Sequence, residues 1–446
     1  MADVSADNLD WTALSMQLTN GQLAFLVGAG LSMTGKSPLP SADSLLQLCV
    51  QRIEQAFGET PPEEARASLE ALCDYLHGMN QLGRLFIHSV VPWAQFKNGE
   101  PNDGHLALAD FLITRATGAV VSTNYDTRIE TAARDLGELD FVALTSADEL
   151  EPRNHSRLLK IHGCALRDEA TTLWCPAQVD DPPIKQRLEA SVKLVPGWLA
   201  NKDIVILGFW SDWPHMYDTL CHLLAGADPA CVYIVNPSPQ AELPEKAPAL
   251  WAWAEKHHLI HVQMEAEKFL HEMWTRYGVS LLRRAFSLCS VTYEHAFHLA
   301  PPPMDAYTDW PSNPMDLLGL RADLLGSPRG KPVRDRDLDN DSSLLAAAVL
   351  RRLIDRGAAL DGDALLMNQQ RIRVIGHGGL MSTIKATYES EPLAHQDATT
   401  MVCPAAVDDG GAPIDVVREN VPGDIVRGGV TGTWLSLREA EALISQ

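Results

Sequence analysis

The sequence predicts an α/β protein built on a doubly wound parallel sheet, followed by a smaller mixed or β-rich C-terminal domain. Two observations carry this. Short, almost wholly apolar runs recur with helical patterns between them, and strands covered by helices on both faces read as unbroken apolar runs. The first run also ends in a glycine turn, "GAGLS", Gly28 to Ser32, where nucleotide-binding sheets of this class place their phosphate turn.

Taken in order, the predicted strands are "LAFLV" (23 to 27), "AVVST" (119 to 123), "LLKI" (158 to 161), "DIVILG" (203 to 208) and "CVYIV" (231 to 235). The stretch "LAPPPMDAYTDWPSNP", 299 to 314, is too proline-rich to continue a helix or a central strand. It marks an expected linker between a first domain, 1 to 298, and a second, 315 to 446. Within the second, 344 to 356 ("LLAAAVLRRLIDR") reads as one helix, and 371 to 435 mixes strand-like runs with Gly and Pro. No chemistry is readable there.

Composition narrows the function. With 46% hydrophobic and 21% charged residues the chain reads as a globular protein rather than a disordered one. The start "MADVSADNLDW" lacks a basic segment followed by an apolar one, and no run approaches the roughly 18 apolar residues of a membrane span; a cytoplasmic, membrane-free protein is expected. The eight cysteines include no Cys-x-x-Cys pair, so buried thiols and no zinc are expected. A net charge of -22 opposes the phosphate contacts that drive nucleic-acid binding. Direct nucleic-acid binding is therefore not expected.

The glycine turn departs from the usual dinucleotide fingerprint: Met33 stands at the third glycine, no Gly-Lys-Ser/Thr follows, and the acid about 20 residues on, Glu54, lies in a helical pattern. The second polar cluster is "STNYD", Ser122 to Asp126, between a buried strand and a helix, where a plain turn needs only Gly, Pro or Asp. Asp126 also suits the cap of the following helix. Other candidates read as structure: His105 as a helix-start residue; His257, His258 and His261 as a set without a further metal ligand; and "DRDLDND" as a solvated turn lacking the glycine and glutamate of a calcium loop. Ser32 lacks the Gly-x-Ser-x-Gly elbow of a hydrolase.

"VGAGLS", "PNDGHLALADFL", "VVSTNYDTRIE", "LKIHG", "ILGF" with a following "SD", and "VYIVN" occur in this order over residues 20 to 275. Together they resemble the sirtuin-like fold, a Rossmann-like variant. The "TNYD" and "KIHG" forms resemble its zinc-less bacterial branch, whose members cleave NAD in anti-phage defence. The resemblance implies that Gly28, Ala29, Gly30 and Ser32 line the NAD pyrophosphate, that Asn124 and Asp126 surround the nicotinamide and its ribose, and that Thr123 also contacts the cofactor. It further implies that His162 is the catalytic histidine, that Gly208 and Ser211 face the cofactor, and that Asn236 reaches the adenosine ribose. "GFWSDW" is one residue shorter than the family's usual spacing, which affects Ser211 and Asp212.

The chemistry of those residues agrees with the resemblance. Loss of nicotinamide leaves an oxocarbenium-like centre on the ribose, which calls for a polar pocket, a carboxylate or amide dipole and a base. Only Cys164 and Cys175 lie between Asp126 and Gly208, whereas deacylating relatives carry four zinc cysteines there. The expected activity is therefore NAD hydrolysis to nicotinamide and ADP-ribose. The alternatives are a non-catalytic NAD or ADP-ribose sensor and, less favoured, an NAD-dependent deacylase. Expected partners are NAD, further copies of the chain as an oligomer, and a defence protein such as an Argonaute, a HerA-type ATPase or a nucleotide-sensing protein.

Overall fold

Five consecutive apolar residues, Leu23–Val27, form a strand buried along its whole length, as expected of the centre of a sheet covered on both faces. In the computed structural model, which describes residues 2–4, 9–145, 157–211, 224, 228–388, 391, 400–408 and 433–445, this strand lies in a seven-stranded sheet. The strands are β1 (Ala2–Val4), β2 (Leu23–Val27), β3 (Thr117–Ser122), β4 (Leu158–Lys160), β5 (Asp203–Leu207), β6 (Cys231–Val235) and β7 (His258–Val262). Their order is β1-β7-β6-β5-β2-β3-β4, and every pairing is parallel.

This order has a functional consequence. The chain winds from β2 through β3 to β4 on one side, and from β5 through β6 and β7 on the other. The two directions diverge beside β2, and in open parallel sheets ligands bind outside the carboxyl ends of the strands at such a reversal. One register row, Leu207, Val27, Ser122 and Lys160, closes the four strands around it. The residues that follow are Gly208, Gly28, the 123–126 turn and the 161–162 turn.

The chain divides into two compact units, residues 1–273 and 274–446. The division falls inside the helix Ala266–Leu288, earlier than the proline-rich stretch 299–314. Within the second unit that stretch is tied down by Arg351, whose guanidinium donates to the carbonyl of Pro302 and to the Tyr307 hydroxyl. The helix expected over 344 to 356 is seen at Asp341–Asp355. The second unit has its own mixed sheet, in which β8 (Ala359–Asp361), β9 (Ala364–Met367) and β10 (Gln370–Val374) run antiparallel. From there β10, β11 (Thr400–Cys403) and β12 (Thr433–Ser436) run parallel. Its core holds charge as well as apolar groups: buried Arg373 bridges Asp323, at 2.6 Å, and Glu391, at 2.8 Å.

No described helix is long and apolar enough to cross a membrane. The seven described cysteines are all buried and unbridged.

Candidate functional site

Two glycine turns build one wall. Gly28 N–H donates to the Leu207 carbonyl and Gly30 N–H to the Gly208 carbonyl, at 3.0 and 2.8 Å, so the turns after β2 and β5 are laced backbone to backbone. That approach leaves no room for side chains. A Cβ on Gly30 would lie 2.8 Å from the Gly208 Cα, and one on Gly208, at φ +62°, 2.6 Å from the Leu31 nitrogen.

The opposite wall comes from the turns after β3 and β4. Asn124, Asp126 and His162 are all buried. Asp126 Oδ1 accepts from the Arg128 N–H at 3.1 Å, two residues on, while the N-cap position of the helix Arg128–Asp135 falls to Thr127 rather than to Asp126. Its other oxygen, Oδ2, accepts from the Ser32 hydroxyl at 2.8 Å. Having given its one hydrogen away, Ser32 Oγ can only accept from the Asn124 amide, 3.3 Å from Nδ2. Asn124 Oδ1 is thereby turned elsewhere, buried and without a protein donor.

His105 joins this cluster. Its Nδ1 lies 3.1 Å from the Asn102 N–H, which can only donate, so the ring proton sits on Nε2, 3.1 Å from Ser32 Oγ. The residue therefore does more than the helix-start role expected of it: it completes a capping box with Asn102 and fixes the Ser32 hydroxyl toward Asp126. Burial pushes the imidazole down to about 4, with Arg128 and Lys160 acting in the same direction and Asp126 opposing them.

Three buried cations lie one residue behind this wall, and reading the sequence missed all three. Arg128 donates to the carbonyls of Ser32 and Ser37. Arg187 reaches those of Ile161, His162 and Thr171. Lys160 reaches that of Asp126 and pairs with Glu130 at 2.6 Å. The available signal was a lysine inside the otherwise apolar run "LLKI".

Between the walls lies a cavity of about 380 Å³. Nine of the expected site residues line it: Ala29, Gly30, Ser32, Thr123, Asn124, Asp126, His162, Gly208 and Ser211. Its apolar side includes Leu69, Phe96, Tyr125 and Trp174, with the Tyr125 and Trp174 rings stacked at 4.3 Å. Two expected residues are not among the lining. Gly28 packs instead against Phe209, where a Cβ would lie 2.5 Å from the Phe209 Cβ. Asn236 follows β6, one strand beyond Gly208, and its Oδ1 accepts from the Ser238 N–H at 2.9 Å. Asp212 lies outside the described residues. Among the described residues no group of three or more His, Cys, Asp or Glu is placed to hold a metal ion.

A site of glycine turns and buried polar groups at the reversal of a parallel sheet defines an α/β fold of the nucleotide-binding, Rossmann-like class. More particularly, residues 118–260 match the family model of the SIR2-like domain; the chain carries a sirtuin-like domain. No curated protein matches the chain. Similar solved structures include a SIR2 homologue in complex with NAD, 14% identical, covering 61% of this chain and 94% of that one, with a TM-score of 0.33. Another is Sir2Tm bound to a propionylated peptide, 13% identical, covering 59% and 96%, with a TM-score of 0.31.

Proposed function

We propose that this protein is an NAD glycohydrolase that splits NAD into nicotinamide and ADP-ribose. The observation that carries the reading is Asn124 Oδ1, a buried acceptor with no protein donor in a residue lining the same cavity as Asp126 and His162. A buried polar atom without a partner is costly, and a ligand amide or ribose hydroxyl would satisfy it. The cradle at Gly30 and Gly208, which a Cβ would fill, suits the close approach of backbone to a pyrophosphate.

In this reading Gly30, Ala29 and Ser32 hold the pyrophosphate side, and Asn124 orients the nicotinamide ribose. As nicotinamide leaves, positive charge develops on the ribose; the Asp126 carboxylate, held by Ser32 and by the Arg128 N–H, favours that charge. His162 takes the proton of the attacking water. The chain's place as the NAD-depleting effector of an anti-phage complex, switched on by a partner protein or by oligomerisation, is part of the same proposal and rests on the "TNYD" and "KIHG" motifs.

The test is chromatography of NAD incubated with the protein, alone and with its partner, alongside His162→Ala. Wild type should release nicotinamide, and His162→Ala should lose about a hundredfold to ten-thousandfold in rate while still binding NAD. Wild-type turnover in His162→Ala would refute the assigned base. NAD left intact by the triggered complex would refute the hydrolase and favour a sensor.

A further inference from the structure

Lys160 is the last residue of β4, two before His162, and its side chain is 1% exposed. Its ammonium donates to Glu130 Oε1 at 2.6 Å and to the Asp126 carbonyl. Glu130 belongs to the first turn of the helix Arg128–Asp135, whose first N–H donates to Asp126 Oδ1. One buried cation thus joins the turn that delivers Asp126 to the turn that delivers His162.

Stability alone does not require this arrangement. The strands are already registered by the pairs Val120–Leu158, Val121–Leu159 and Ser122–Lys160. A buried ion pair, moreover, can often be replaced by apolar residues of similar volume without loss of stability. An apolar pair could not supply the bond from Lys160 to the Asp126 carbonyl. Burial works against the charge on Lys160, but the facing Glu130, Cys164 and Asp126 outweigh it and raise its pKa above the ordinary lysine value.

We infer that Lys160, with Glu130 as its counter-ion, is a positioning residue that fixes the Asp126 backbone relative to His162. The inference rests on the hydrolase reading for its kinetic consequence and on geometry for the rest. Small misplacements of reacting groups cost up to about a hundredfold in rate, so a buried brace between the two turns acts on turnover more than on binding.

The test uses the full chain carrying Lys160→Met with Glu130→Leu, and separately Glu130→Gln. Thermal unfolding, NAD affinity by calorimetry, nicotinamide release and the imidazole NMR signal of His162 are compared with wild type. The double variant should melt near wild type and bind NAD within about threefold, yet lose at least about tenfold in kcat and show a displaced His162 signal. Glu130→Gln keeps an acceptor for Lys160, and with it the bond to Asp126, so it should turn over within a few-fold of wild type and remains informative if the double variant fails to fold. A folded double variant with wild-type kcat and an unmoved His162 signal would overturn the inference, as would a loss of turnover in a folded Glu130→Gln as large as tenfold. If the wild type releases no nicotinamide, the hydrolase reading fails alone, and the His162 signal still decides the positioning role.

Discussion

Acid should loosen the first unit through a single imidazole, His105. The ring is buried, its Nδ1 accepts from the Asn102 N–H and its Nε2 faces Ser32, so a second proton would have to displace a backbone donor. Burial pushes its pKa from 6.5 to about 4. The folded pKa is the lower one, so between these values the unfolded chain takes up a proton that the folded chain refuses, and stability falls as pH falls. At about 1.4 kcal/mol per unit, going from pH 7 to pH 5 should cost about 2 kcal/mol, with little further loss from this group once pH drops below the folded value. The assay is urea unfolding at pH 7, 6 and 5 for wild type and His105→Gln, with nitrogen-15 NMR of the ring to read its tautomer. Wild type should lose about 2 kcal/mol more than the variant over that range, with the proton on Nε2 throughout. Equal pH slopes in the two proteins, or a proton on Nδ1 at pH 7, would refute the reasoning.

Two further outcomes follow from the same geometry. Gly208→Ala places a side chain at φ +62°, 2.6 Å from the Leu31 nitrogen; the left-handed conformation alone costs about 1–2 kcal/mol, so both the melting temperature and NAD affinity should fall, the latter by about tenfold, as read by calorimetry. Arg187→Met removes the donor to three carbonyls around His162 and should destabilise by on the order of 3 kcal/mol, a fall in melting temperature of about 6–12 °C by scanning calorimetry.

Much of the first unit was legible in sequence, because its central strands are buried on both faces and lose all polar alternation. Residues 23 to 27 and 231 to 235 match β2 and β6 end for end, and 158 to 161 and 203 to 208 overrun β4 and β5 by one residue. β1 was not legible: three residues at the sheet edge carry no period. Strand order was not legible either, since apolar runs do not say which neighbour each takes. The contact of Gly30 with Gly208 depends on β5 lying beside β2. Asn236 depends on strand order in the same way. The family resemblance assigns it to the adenosine ribose; its strand lies one beyond Gly208, and its Oδ1 accepts from the Ser238 N–H of its own turn.

The cations behind the cavity were hidden for a related reason. A chain of net charge -22 suggests a protein hostile to phosphate, because summed charge describes the surface. Arg128, Lys160 and Arg187 are each at most 5% exposed, and each donates to the carbonyl of a residue that lines the cavity: Ser32, Asp126 and His162 respectively. Buried charge is screened far less than surface charge; carbonyls orient these cations, and nearby carboxylates offset them, Asp126 for Arg128, Asp168 for Arg187 and Glu130 for Lys160. Only Lys160 among the three has a carboxylate within ion-pair distance, Glu130. A net charge summed over the sequence therefore says little about the groups that stand behind the cavity. The outer charges act through water and counter-ions, while the fixed inner ones act at short range on the backbone of the turns that line the cavity.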